Sequence, residues 1–139
     1  MAVKYKIYQS NRSGQTYGKY YARAVHDQTV TTDDLADIMQ DNCTVKRSDI
    51  LAVISELVET MTTQLQNSNK VKLDRFGTFK IGLSTTGADT LDDFSASKNI
   101  TGTHVLFYPE TKIDSMTGNR SRAFLSGLDV SEASEYSVE

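Results

Sequence analysis

Basic and apolar side chains alternate between residues 70 and 81. The basic residues are Lys70, Lys72, Arg75 and Lys80, and the apolar ones are Val71, Leu73, Phe79 and Ile81. This period-two spacing around Gly77 predicts two short strands that meet at the glycine, or one strand bent there. One side would then face a core, and the other would present cations to water, where they can hold a polyanion. The same alternation is also ordinary for the surface of a half-buried sheet.

Residues able to act as nucleophiles, general bases or metal ligands are few and scattered. Cys43 is the single cysteine, which excludes an intrachain disulfide and a multi-cysteine metal site. His26 and His104 have no motif linking them to it, and there is no glycine-rich nucleotide loop or nucleophile motif. Asp33 and Asp34 lie at the start of a predicted helix, where capping accounts for them. We therefore expect no enzymatic activity, no catalytic residue, and no metal, cofactor or small-molecule substrate.

Composition limits the class of protein. The 139 residues are 38% hydrophobic, which suffices for a modest core and is too low for a membrane protein. No apolar run approaches the roughly 18 residues of a membrane-spanning helix. The first residues lack the apolar segment of a signal peptide. We therefore expect a cytoplasmic protein that does not bind membranes.

Charge is segregated along the chain, although the net charge is only −3. Residues 1–26 contain five basic and no acidic residues, whereas residues 127–139 contain four acidic and no basic ones. We therefore divide the chain into an N-terminal β extension (1–26), a central domain (27–126) and an acidic, disordered tail (127–139). Nucleic-acid binders are usually basic, but a local basic patch matters more than the total charge.

The N-terminal extension predicts a pair of strands. Residues 3–8 alternate between apolar and polar side chains, and residues 19–25 have a strand-like composition after a turn at 11–15. Basic residues interleaved with tyrosines are candidates for contacting a nucleic acid, here Lys4, Lys6, Lys19 and Arg23. The alternative is that tyrosine simply favours strands and that lysine keeps an edge strand soluble.

Two helices are predicted between residues 31 and 66. Thr31 followed by Asp34 resembles a capping box, and the helix that it opens breaks near Cys43. The second helix, about 46–66, has the strongest periodicity in the chain. Its apolar residues are Ile50, Val53, Ile54, Leu57, Val58, Met61 and Leu65. Because one small partner helix cannot cover so long a stripe, we infer a dimer.

The chain changes character after the basic stretch. Residues 82–103 are small and polar, which predicts a mobile loop or an extended arm. A return strand is expected at 104–108, where Pro109 stops it, and a short helix is expected at 110–116. Residues 123–125 are expected to pack back as the last element.

The helix pair followed by Val71-x-Leu73-x-x-Phe76-Gly77-Thr78-Phe79 resembles the HU/IHF family of bacterial DNA-bending proteins. Phe107-Tyr108-Pro109 resembles the segment after that family's DNA arms. The extension, with Tyr20-Tyr21-Ala22-Arg23, resembles the longer HU-like proteins of Bacteroidetes-type bacteria. The resemblance implies an α+β fold: an N-terminal helix pair and an antiparallel sheet with a β-arm, in an intertwined homodimer, plus an extra N-terminal β element.

The same resemblance implies roles for single residues. Those matching the structural motif are Phe76, Gly77, Phe79 and Pro109, with the phenylalanines expected at the dimer core. The cations expected to contact DNA are Lys70, Lys72, Arg75, Lys80, Lys98 and Lys112, the last in a C-terminal helix region. Family arms begin with arginines where this chain has Gly82-Leu83-Ser84, and the Arg-Asn-Pro tip is absent. Kinking by an inserted proline is therefore not expected.

Two functions remain open at this point. The first is a histone-like, nucleoid-associated architectural protein that binds double-stranded DNA through its phosphates with little sequence specificity. The second is an HU-fold module for protein interaction or assembly, with weak or lost DNA binding. The second is favoured by the acidic tail and by Asp89, Asp92 and Asp93 in the segment where an arm is expected.

Overall fold

The computed structural model describes residues 1–134. They form helices and strands in mixed order, so the α+β class expected from the sequence is confirmed. The helices are α1 (Thr32–Asn42), α2 (Arg47–Gln66) and α3 (Ala96–Asn99). The strands are β1 (Ala2–Gln9), β2 (Tyr20–Val25), β3 (Val71–Leu73), β4 (Gly77–Thr85), β5 (Ile100–Pro109), β6 (Thr111–Ile113), β7 (Arg120–Arg122) and β8 (Asp129–Glu132). The chain divides into two compact units: residues 1–35 with the segment from Gly127, and residues 36–126.

The first unit contains a three-stranded sheet in the order β2-β1-β8. β1 and β2 pair antiparallel, from Lys4 opposite Val25 to Gln9 opposite Tyr20. The prediction of two strands in this part of the chain is therefore confirmed. β8 pairs parallel with β1, so residues 129–132 differ from the disordered tail expected from their acidic composition. Backbone pairing with a distant strand offsets the cost of ordering them. The last part of that tail, residues 135–139, lies outside the described residues.

Local hydrogen bonds organise the helix pair. The Asp34 carboxylate accepts from the Thr31 N–H at 2.8 Å and from the Thr31 hydroxyl at 2.7 Å, and the Asp34 N–H donates to Thr31 Oγ1 at 3.3 Å. The predicted capping of α1 is therefore confirmed. Between the helices, Arg47 Nε donates to Asp37 Oδ1 at 2.6 Å, and the Arg47 N–H donates to Gln40 Oε1 at 3.1 Å.

The apolar stripe of α2 is only partly covered within one chain. Ile50 is buried, and with Ala36 it makes up the buried apolar residues of the described chain. The half-buried members of the stripe are Ile54, Met61 and Leu65. The exposed members are Val53, Leu57 and Val58, at 66%, 40% and 59%. A single chain thus leaves much of this stripe in contact with water.

An antiparallel sheet in the order β3-β4-β5 forms the main part of the second unit. β3 and β4 are joined by a turn at residues 74–76, so the prediction of two strands meeting at Gly77 is confirmed. Gly77 is buried opposite Pro109. A Cβ added there would overlap the Tyr108 carbonyl oxygen and lie 2.6 Å from Phe107 Cε2. This close approach of backbone and ring requires glycine.

β4 and β5 continue beyond β3 as a long hairpin. They pair from Gly77 opposite Pro109 to Thr85 opposite Ile100, with a bulge between Ser84 and Thr85. The segment predicted to be a loop or an arm is therefore the outer part of a paired hairpin with its tip at residues 86–99. Pro109 is the last residue of β5, as expected.

Residues 110–116 do not form the expected helix. Thr111–Ile113 is strand β6, which pairs with β7, so Lys112 lies in a strand and not in a helix. Asp114 Oδ1 accepts hydrogen bonds from the N–H groups of Met116 at 2.8 Å and Thr117 at 3.2 Å. This side-chain turn gives the backbone an alternative to helical hydrogen bonds, which explains the difference.

Phenylalanines cluster between the sheet and the segment that follows β7. The Phe76 ring centroid lies 5.9 Å from Phe79, 5.7 Å from Phe107 and 5.2 Å from Phe124. Through Phe124, residues 123–125 pack back as predicted. Phe76 and Phe107 are still 41% and 40% exposed, so the cluster has an open side.

Candidate nucleic-acid interface

The β3-β4-β5 sheet has an apolar face and a polar face. Residues directly opposite each other on neighbouring strands share a face. Val71 pairs with Phe79, and both are half-buried on the apolar side. Lys72 pairs with Thr78, and Thr78 pairs with Tyr108, which puts these residues on the other side. We call this side, which includes Lys72, Thr78, Lys80 and Tyr108, the polar sheet face.

Lys80 lies on the polar sheet face because it follows Thr78 by two residues on β4. Its Nζ is 5.2 Å from the centroid of the Tyr108 ring. A cation–π contact of this kind holds the ammonium group in place without neutralising its charge. The fold therefore brings two of the predicted cations, Lys72 and Lys80, to one face of one sheet.

Lys72 has acidic neighbours that the sequence did not indicate. Its Nζ lies 3.9 Å from Glu110 Oε1 and 4.0 Å from Asp74 Oδ1, with the lysine side chain 61% exposed. Ion pairs that are long and exposed contribute little stability. A phosphate bound here would have to compete with two carboxylates for the Lys72 ammonium group. Both carboxylates interact with that group only weakly.

Arg75 lies in the turn between β3 and β4 with a φ of 66°, in the left-handed region. The Glu110 carboxylate accepts a hydrogen bond from the Arg75 N–H at 2.7 Å, and this bond stabilises the turn. The Arg75 side chain is exposed. Lys70 is also exposed and precedes β3, in the loop after α2. Both cations flank the sheet and do not lie within a paired strand.

Lys98 is separated from these cations along the chain and lies in α3, at the tip of the β4–β5 hairpin. The buried Asn99 holds this tip: its Nδ2 donates to the Thr86 and Gly87 carbonyls at 3.2 and 3.3 Å. Its Oδ1 accepts from the Ser95 N–H at 2.9 Å. The tip also contains Asp89, Asp92 and Asp93. It is therefore an ordered but predominantly acidic structure.

Lys112 lies in the β6–β7 pair, which also contains two arginines that the sequence analysis did not single out. Arg120 and Arg122 on β7 lie opposite Ile113 and Thr111, whereas Lys112 lies opposite Ser121. The two arginines therefore share one face of the β6–β7 pair, and Lys112 is on the other. One feature of the sequence could have predicted this hairpin: the turn-forming pair Gly118-Asn119 follows Asp114 and favours a hairpin over a helix.

In the first unit the structure brings three of the four predicted cations to one sheet face. Lys4, Lys6 and Arg23 share a face, because Lys6 lies opposite Arg23 and Lys4 is two residues away on β1. Lys4 Nζ forms an ion pair with Asp27 Oδ2 at 2.8 Å. Lys19 precedes β2, and its carbonyl accepts from the Ser10 N–H at 2.8 Å.

Residues 1–134 contain no group of three or more His, Cys, Asp or Glu side chains that could hold a metal ion. None of the helices in this part of the chain is both long and apolar enough to cross a membrane. Cys43 is exposed and not in a disulfide.

Comparison with known protein families identifies a match over most of the chain. Residues 1–123 match the family model HU-HIG, described as an HU domain fused to a wHTH, Ig or glycine-rich motif. No curated protein matches the chain. Since the match covers most of the sequence, from β1 through the β6–β7 pair, the chain belongs to the HU-HIG family.

Proposed function

We propose that this protein is a non-enzymatic, histone-like architectural protein that binds double-stranded DNA through its phosphates with little sequence specificity. The observation that carries the proposal is the polar sheet face, where Lys72 and Lys80 point away from the apolar side of the same sheet. Membership of a family built on an HU domain supports it. The expected location is the bacterial nucleoid in the cytoplasm.

We further propose that the functional form is a homodimer. The exposed α2 residues Val53 and Leu57 line a cleft of about 460 Å³ together with Ala52, Glu56 and Thr60. An apolar stripe left open on a helix is normally covered by a second chain. A twofold axis beside the exposed stripe of α2 would bring the same stripe of another copy against it and place two polar sheet faces on one assembly.

The acidic hairpin tip distinguishes this protein from a DNA-kinking one. Asp89, Asp92 and Asp93 would repel phosphates, and the only proline of the chain, Pro109, is at the far end of the hairpin from the tip. Binding is therefore proposed to depend on the sheet and its flanks, with duplex bending of small amplitude or none.

The second candidate function is a protein-interaction or assembly module on the same fold. It is favoured by the carboxylates of Asp74 and Glu110 near Lys72, which reduce the positive potential of the polar sheet face. In that case substitutions at Lys72 and Lys80 would leave partner binding unchanged.

Fluorescence anisotropy with a labelled duplex, titrated over a range of salt, tests the first function. Each of the substitutions Lys72→Gln and Lys80→Gln is expected to reduce the slope of log K against log salt by about 0.9. The matched control is Lys46→Gln, which changes an exposed lysine at the N-cap of α2 and outside the strands of the sheet. Absence of duplex binding at low salt would exclude this function and favour the second. An equal loss in the control would exclude the polar sheet face as the binding surface.

A further inference from the structure

The β2-β1-β8 sheet also has two chemically different faces. Direct pairing puts Tyr8 beside Tyr21 and Lys6 beside Arg23 on one side. Residues at the alternate positions, including Tyr5, Ile7 and Ala22, lie on the other side. We call the side with Lys6, Tyr8, Tyr21 and Arg23 the aromatic-cationic face. This face lies on β1 and β2, so it is a different surface from the polar sheet face, which lies on β3, β4 and β5.

The two tyrosines of this face form a small aromatic platform. Their ring centroids are 6.1 Å apart with an interplanar angle of 35°. The Arg23 guanidinium lies 5.5 Å from the centroid of the Tyr8 ring. Tyr8 is 42% and Tyr21 39% exposed, so both rings keep surface open to a planar ligand while their neighbours restrict their motion.

Charge on this face is unbalanced next to the platform. Lys6 lies directly opposite Arg23, and like charges opposite each other destabilise an antiparallel pair. Within residues 1–134 neither of these side chains forms a salt bridge. The carboxylates are at the other end of the face, where Asp27 pairs with Lys4 and Asp129 lies opposite Ala2. An anion near Lys6 and Arg23 would relieve their repulsion.

A cleft beside the rings offers room for a ligand. It has a volume of about 380 Å³, and its lining includes Tyr8, Tyr21, Arg12 and Arg23. Ser10 supports the wall, since its hydroxyl accepts from the Arg12 N–H at 3.3 Å and its carbonyl accepts from the Gly18 N–H at 2.9 Å. The cleft thus combines two aromatic rings with two guanidinium groups.

We infer that the aromatic-cationic face binds single-stranded nucleic acid, with unpaired bases stacked on Tyr8 and Tyr21 and the backbone phosphates held by Lys6, Arg12 and Arg23. Aromatic platforms bordered by cations select single strands, because only there are the faces of the bases free to stack. A duplex offers phosphates to the same cations but leaves the rings without a partner. Strand propensity explains tyrosine on β1 and β2. It does not explain why Lys6 and Arg23, which form no salt bridge within residues 1–134, lie opposite each other.

This site is independent of the proposed duplex-binding face, and its test uses a different ligand. The probe is a fluorescein-labelled thymidine oligonucleotide, with its binding to the full chain followed by anisotropy. The substitution Tyr21→Ala is expected to raise the dissociation constant for the single strand by about 5- to 150-fold, the usual effect of removing one stacking side chain. Affinity for a duplex should stay within about twofold of the original, since duplex phosphates do not use the ring.

The matched control is Tyr20→Ala. Tyr20 is 70% exposed, lies next to Tyr21 on β2 and faces the other side of the sheet opposite Gln9. It should leave single-strand affinity unchanged. An equal loss in both variants, or no loss in Tyr21→Ala, would overturn the proposal, as would the absence of oligonucleotide binding at low salt.

A second variant changes a residue outside the strands, so it should not disturb the folding of the sheet. Arg12→Gln changes an exposed side chain in the loop after β1. It should reduce the salt dependence of single-strand binding by about 0.7 in slope. An unchanged slope would contradict the assignment of Arg12 to the backbone phosphates. If the unsubstituted protein bound the single strand but not the duplex, the proposed duplex-binding function would be wrong and the single-strand site would stand.

Discussion

The Glu110 carboxylate accepts a hydrogen bond from the Arg75 N–H at 2.7 Å, across a sequence separation of 35 residues. The Glu110 N–H also donates to the Phe76 carbonyl at 3.0 Å, so one residue fixes the turn that precedes Gly77. The other carboxylate oxygen lies 3.9 Å from Lys72 Nζ. Glu110 therefore stabilises the turn and at the same time lowers the positive charge of the polar sheet face.

Two substitutions of Glu110 should separate these effects. Glu110→Gln keeps an oxygen acceptor for the Arg75 N–H and removes the charge, so it should retain the fold and raise duplex affinity by up to about fivefold. Glu110→Ala loses the acceptor and should cost about 1.5 kcal/mol of unfolding free energy. Urea unfolding and anisotropy measure the two quantities. Lower duplex affinity in Glu110→Gln would contradict the expected role of Lys72.

Gly77→Ala tests the close contact between β4 and β5. Because the new methyl group would overlap the Tyr108 carbonyl oxygen, strands must shift, at a cost of about 1–3 kcal/mol. Gly102→Ala on β5 is the control, since a Cβ there meets nothing within 4 Å. Thermal and urea unfolding of both variants gives the comparison. Equal stability of the two variants would mean that the sheet adapts at Gly77 without strain.

Sequence patterns correctly predicted the helices and strands whose hydrogen bonds join residues that are close in sequence. The capping of α1 by Thr31 and Asp34 depends on residues three apart, and the run of α2 depends on a helical repeat within one segment. Alternation around Gly77 likewise located β3 and β4 correctly. In each case the pattern and the interaction that it reflects lie within a few residues of each other.

Sequence reasoning failed where the partner is distant. β8 is acidic and short, and it is ordered by parallel pairing with β1, at the other end of the chain. β6 has three residues and depends on β7 across a turn. The proximity of Glu110 to Lys72 was missed for the same reason, since Glu110 meets it only when β5 returns beside β4. Such contacts have no periodic signature in a single sequence.

Acidic substitutions on α2 test the proposed homodimer. Leu57→Asp changes a side chain that is 40% exposed in one chain, so a monomer would tolerate it. In a dimer the carboxylate would be buried between helices, which should raise the dissociation constant more than about 100-fold. Sedimentation velocity should detect a change from dimer to monomer, with a melting temperature that depends on concentration in the original protein.

Thr62→Asp is the control for that experiment, because its position is on the opposite side of α2 from Val53. It should sediment as the original protein does. A monomer in the unsubstituted protein, or equal dissociation in Leu57→Asp and Thr62→Asp, would contradict the proposed use of the α2 stripe.

Acid sensitivity at the start of α1 follows from the Asp34 carboxylate. The Thr31 hydroxyl, and to a lesser degree the Thr31 N–H, hold the pKa of Asp34 below its ordinary value by donating to its charged form. A carboxyl group whose pKa is lower in the folded state stabilises the fold above its unfolded pKa, and this stabilisation is lost as pH falls through the folded pKa. Asp34→Asn should therefore be less stable than the original at neutral pH, and the difference should shrink below about pH 4.

Thr31→Val removes the hydroxyl donor and keeps the backbone one, so it should raise the pKa of Asp34 without abolishing its shift. Carbon-detected NMR titration of the Asp34 carboxyl group in both proteins measures this directly. The same titration reports on Asp114, whose pKa is lowered by the N–H groups of Met116 and Thr117 and should not change in the variant. Identical Asp34 titration curves with and without the Thr31 hydroxyl would mean that the α1 cap does not stabilise the charged carboxylate.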